Sequence, residues 1–122
     1  MTNRTKIPGA VCLLATLAVW TATARASAFT GACAEELTAV ETAIHTANFQ
    51  GRKAESDRTN LLAKLETAAV KVGQAKYSDA ADKLLDISDT ATALAGAGKP
   101  KLESAADINT AVIASIACVG AL

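Results

Sequence analysis

Large aromatic side chains are scarce in this chain of 122 residues, which has only Trp20, Phe29, Phe49 and Tyr77. Proline is equally rare, at two residues, so little interrupts a helix. One histidine and three cysteines exclude a zinc-finger array, and 12 basic residues balanced by 12 acidic ones exclude a strongly basic nucleic-acid binder. No apolar run reaches the ~20 residues that a membrane-spanning helix needs, which excludes a polytopic membrane protein. The length is that of one domain and argues against a multidomain enzyme. What the chain has in quantity is Ala, Thr, Leu, Lys, Asp and Glu, a mixture that favours helix over strand.

The first 28 residues read as an export signal. Arg4 and Lys6 form a short basic region, Pro8-Gly9 separate it from the apolar run Ala10–Ala22, and Ala26-Ser27-Ala28 offers a small-x-small cleavage site. Cleavage after Ala28 leaves residues 29–122 as the domain, with no membrane span retained. It removes Arg4, Lys6 and Arg25, so 9 basic residues face 12 acidic ones, a net charge of −3. That balance gives a phosphate backbone little to attract, and no nucleic-acid partner is expected. The expected location is secreted or periplasmic.

Cys12 departs with the signal, and Cys33 and Cys118 remain. An even pair in an oxidising compartment reads as a disulfide. Neither cysteine has a second ligand at a CxxC-type spacing, so no metal or other cofactor is expected.

Four apolar stripes follow. Cys33, Leu37, Val40, Ile44 and Ala47 recur at spacings of 4, 3, 4 and 3 and predict a first helix from about Gly31 to Asn48. Leu61, Leu65, Ala68 and Val72, widened by Leu62 and Ala69, predict a second helix. It starts on Ser56 or Asp57 as N-cap and ends at Gly73 in the C′ position. Ala80, Leu84, Ile87, Ala91 and Leu94 predict a third, capped by Ser78 and stopped by Gly96-Ala97-Gly98 and Pro100. The fourth begins around Leu102–Ser104, where Ser104-Ala105-Ala106-Asp107 is like a capping box. Its stripe is Leu102, Ala105, Ile108, Val112, Ile116 and Val119, broadened by Ile113.

Short turns between such helices favour antiparallel neighbours. The fold expected is therefore all-α, a single antiparallel four-helix up-down bundle closed by one disulfide. In that order the start of the first helix and the end of the fourth share one end of the bundle, which is where Cys33 and Cys118 lie. The apolar run Ala111–Leu122 belongs to the fourth helix; read instead as a lipid-anchor signal, its loss would leave Cys33 without a partner.

Several residues carry potential chemistry. His45 has only Glu41 as a helical-spacing partner, with Asn48 and Phe49 at the places where a second ligand would stand. Gly96-Ala97-Gly98-Lys99 lacks the spacing of a phosphate loop and follows a helix rather than a strand. No strained serine elbow is present, so the chain reads as non-enzymatic, with no catalytic residues. The most patterned polar feature is Asp79, Asp82, Asp86 and Asp89, spaced 3, 4 and 3 on one helical face. It is a candidate partner-binding surface, with Lys83 placed to neutralise part of it.

One stretch carries a resemblance. Asn60-Leu61-Leu62-Ala63-Lys64-Leu65, Ala68 and Ala69 are followed by Lys76-Tyr77-Ser78-Asp79-Ala80-Ala81 and Leu84, then by Gly98-Lys99, Ala106 and Ile108. In this order residues 60–119 resemble the FIMAH domain, a small helical module of secreted bacterial proteins often appended to extracellular hydrolases. The chain departs from that pattern at Gln74-Ala75-Lys76 and at Ser88. The resemblance implies a non-catalytic accessory or interaction role and supplies no catalytic residues.

Two functions are expected from these readings. The first is a secreted, non-enzymatic helical module that binds a protein, an envelope constituent or another cell-surface component. The alternative is a periplasmic four-helix inhibitor or chaperone-like protein acting through an apolar groove or the acidic face.

Overall fold

The structure is a computed structural model that describes residues 29–122. The expected signal peptide, residues 1–28, and its cleavage after Ala28 lie outside the described residues, as does Cys12. Four helices follow one another: α1 (Ala34–Thr46), α2 (Ala54–Gly73), α3 (Tyr77–Ala95) and α4 (Ala106–Gly120). Each helix packs on its neighbours in the chain, and α4 returns against α1 to close the ring.

Two contacts fix the up-down order. At one end Cys33, just before α1, is bonded to Cys118 near the end of α4, with Cα atoms 6.0 Å apart. At the other end Phe49, after α1, pairs antiparallel with Leu102, before α4. Gln50 N–H donates to the Lys101 carbonyl at 2.8 Å, and Glu103 N–H donates to the Asn48 carbonyl at 3.0 Å. The bundle is thus clamped at both ends, covalently at one and by main-chain hydrogen bonds at the other. No helix among the described residues is long and apolar enough to cross a membrane.

The core follows the four stripes. Leu37, Val40 and Ile44 of α1 meet Leu61 and Leu65 of α2, Leu84 and Ile87 of α3, and Ile108 and Val112 of α4, all essentially inaccessible to solvent. Burying each such side chain is worth about 1.5–3 kcal/mol, which offsets the cost of ordering the chain around it. The seam of α4 differs from the expected one. Ser115, not Ile116, faces the core and is fully buried, with its hydroxyl donating to the Ala111 carbonyl at 3.0 Å. Ile116 is half-buried, and Ile113, expected to broaden the stripe, is 66% exposed.

Helix ends depart from the sequence reading for conformational reasons. Gly31 and Cys33 both have positive φ, 87° and 59°, so α1 cannot begin until Ala34. It ends at Thr46 because Ala47 turns extended and leads into the Phe49 pairing. Helix α2 starts at Ala54, after a turn on Gly51 at φ 89°, and takes Ser56 and Asp57 into its first turn instead of using either as a cap. Its reversal lies at Ala75, φ 60°, two residues beyond Gly73. There Lys76 N–H donates to the Lys71 carbonyl at 2.9 Å and Ala75 N–H to Val72 at 3.0 Å, the pattern of a Schellman closure with alanine where glycine is usual.

Helix α3 likewise starts at Tyr77, with Ser78 inside it. Helix α4 starts only at Ala106, because Leu102 is held in the pairing with Phe49 and is fully buried there. Ser104 forms no capping box; its hydroxyl accepts from Ala106 N–H at 3.1 Å across a local turn.

Candidate functional site

The acidic residues lie on the outer side of α3, because Ala80, Leu84, Ile87 and Ala91 occupy the opposite face of the same helix. Asp79, Asp82 and Asp89 are exposed and Asp86 is half-buried. The face is not uniformly negative. Asp86 Oδ2 accepts from Lys64 Nζ of α2 at 2.7 Å, a link between helices that helical spacing alone does not indicate. Asp79 and Asp82 share a shallow depression with Lys71 of α2 and with Lys83. Of the four carboxylates, Asp89 is the one without such a neighbour among the described residues.

That face also carries an apolar side chain. Leu85 follows Asp82 by three residues and precedes Asp89 by four, so all three share one face, and Leu85 is 51% exposed. On the neighbouring α4, Asn109 bonds across to α3. Its Oδ1 accepts from the Ser88 hydroxyl at 2.7 Å, and its Nδ2 donates to Thr92 Oγ1 at 3.2 Å. These bonds give Ser88 a polar partner where an apolar residue would otherwise pack. They also set the register of the two helices. Ile113 lies one turn beyond Asn109 on α4, and Leu85 lies one turn before Ser88 on the antiparallel α3. Two exposed branched side chains therefore border the α3–α4 seam, and Leu85 shares its helical face with Asp82 and Asp89.

The disulfide holds the second group of chemical interest. Cys33 is 8% exposed, Cys118 is half-buried, and Glu36 of α1 brings a carboxylate oxygen to within 4.8 Å of both sulfurs. Glu36 follows Cys33 by three residues, one helical turn. Nothing in the sequence places Glu36 beside Cys118, which arrives from the other end of the chain. His45 is exposed in the last turn of α1, where a positive charge would suit the helix dipole.

Arg58 is the residue that sequence reasoning missed. It reaches from α2 to the end of α1, where Nη2 donates to the Ala47 carbonyl at 3.0 Å and Nε to the Ile44 carbonyl at 3.4 Å. Nη1 pairs with Glu55, and the guanidinium lies 4.9 Å from the Phe49 ring centre. No motif in the chain announces this role, because the acceptors are main-chain carbonyls 11 and 14 residues away.

No family model matches this chain, and neither a curated protein nor a solved structure matches it.

Proposed function

We propose that the chain is an exported, non-enzymatic helical module that binds a protein or cell-surface component through the outer face of α3 and its border with α4. The observation that carries this reading is the exposure of Leu85 and Ile113, 51% and 66%, at the α3–α4 border, with Leu85 on the same helical face as the acidic residues Asp82 and Asp89. A mixed strip of this kind suits a basic, amphipathic partner surface: the apolar contacts supply affinity and the carboxylates steer approach. The Cys33–Cys118 bond supports export, since such bonds persist in oxidising compartments. The resemblance of residues 60–119 to a secreted bacterial accessory module points the same way.

The test is cross-linked capture from the native envelope fraction with three chains compared: the wild type, Leu85→Ser with Ile113→Ser, and Asp82→Asn with Asp89→Asn. Loss of the same captured species in both variants, with melting temperatures unchanged, supports the reading. Equal capture by all three chains refutes this face as the binding surface.

A further inference from the structure

We propose that Cys33, Cys118 and Glu36 form a zinc-binding site when the disulfide is reduced. Their ligand atoms, two sulfurs and a carboxylate oxygen, already lie within 4.8 Å of one another. A tetrahedral zinc ion holds thiolate sulfur at ~2.3 Å and carboxylate oxygen at ~2.0–2.2 Å, so its ligand atoms stand roughly 3.5–4 Å apart. With the Cα atoms 6.0 Å apart, rotation of the two cysteine side chains suffices to part the sulfurs to that spacing once the S–S bond opens. Two thiolates and one carboxylate are ligands that zinc accepts, and the half-buried setting leaves the fourth position to water.

Glu36 has a second feature that fits. Among the described residues it makes no ion pair and no side-chain hydrogen bond, so none of these competes with the two sulfurs for its carboxylate.

The redox step is a two-electron reduction. A phosphine reductant gives up an electron pair and takes an oxygen from water, and the two protons of that water leave Cys33 and Cys118 as thiols. Zinc binding then releases two protons as the thiolates coordinate. This inference is independent of the partner-binding reading of α3.

The experiment uses the whole chain, reduced anaerobically with a phosphine and titrated with Co²⁺ as a spectroscopic stand-in for zinc. One equivalent should develop an intense thiolate-to-cobalt charge-transfer band in the near ultraviolet, and Zn²⁺ should abolish it. The oxidised chain should show none. Loss of an outer-shell partner alone weakens metal binding about 10–100-fold, so Glu36→Gln should weaken it by at least roughly tenfold. Glu35→Gln, one residue away and exposed, should leave it unchanged. A reduced, helical chain without the band overturns the proposal, and so does a Glu36→Gln chain that binds as tightly as wild type. If reduction unfolds the bundle, zinc should restore the far-ultraviolet helical signal; failure to restore it overturns the proposal equally.

Discussion

Arg58 stacks on Phe49 at 4.9 Å and at the same time donates to the last carbonyls of the helix that Phe49 leaves. One side chain thereby satisfies the C-terminus of α1, covers the buried ring and ties α2 to both. Its position also favours the helix dipole, whose negative end it meets.

Arg58→Ala should cost about 2 kcal/mol, since hydrogen bonds from a charged donor are worth about 1.5–3 kcal/mol and the ring contact about 0.5–1. Arg58→Lys should recover only part of that, because an ammonium cannot serve both carbonyls while lying flat on the ring. Urea denaturation of the three chains decides it, and a stability change within about 0.5 kcal/mol for Arg58→Ala would remove this role.

Gly73 and Ala75 give a pair of predictions in which opposite substitutions both stabilise. Ala75 is exposed and held at φ 60°, where a non-glycine residue costs about 1–2 kcal/mol, so Ala75→Gly should stabilise by roughly 0.5–1 kcal/mol after the unfolded-state entropy is counted. Gly73 is the last helical residue, and an added Cβ there meets nothing within 4 Å, so Gly73→Ala should also stabilise, by about 0.5–1 kcal/mol. Were Gly73 the reversal point that the sequence suggests, Gly73→Ala would destabilise instead. Thermal melts of the two variants separate the cases by sign.

Replacing Cys33 and Cys118 with alanine opens a loop whose ends are 85 residues apart. The chain-entropy model puts the loss at about 4–5 kcal/mol, and each kcal/mol lowers the melting temperature of a domain of this size by about 4–8 °C. The double variant should therefore melt at least about 15 °C below the oxidised wild type. A fall of only a few degrees would mean that the Phe49–Leu102 clamp alone sets the order of the helices.

Asp82→Asn with Asp89→Asn should leave stability within about 0.5 kcal/mol, because both groups are exposed and neither forms an ion pair among the described residues. Asp86→Asn removes the link to Lys64, half-exposed on both sides, and should cost about 0.2–1 kcal/mol, falling with added salt. Denaturation at low and high ionic strength distinguishes the two behaviours.

Leu37, Leu65, Leu84 and Val112 show what the sequence determines unaided. Each lies on a stripe of 3–4 spacing that only a helix can bury on one side, so the number, order and inner faces of the helices are local properties of the chain. The Cys33–Cys118 bond was legible by the same route, since short turns leave antiparallel order as the economical packing. Of the candidate binding face, the four aspartates were legible as a periodic row, while the pairing of Asp86 with Lys64 and the nearness of Lys71 to Asp79 and Asp82 were not. Tertiary structure decided those pairings, together with the helix ends, the clamp between Phe49 and Leu102, the reach of Arg58 and the approach of Glu36 to both sulfurs. The reason is physical. Periodicity reports which side of a helix avoids water, but left-handed backbone at Cys33 and Ala75 and contacts between distant residues arise only when closure of the whole bundle holds them in place.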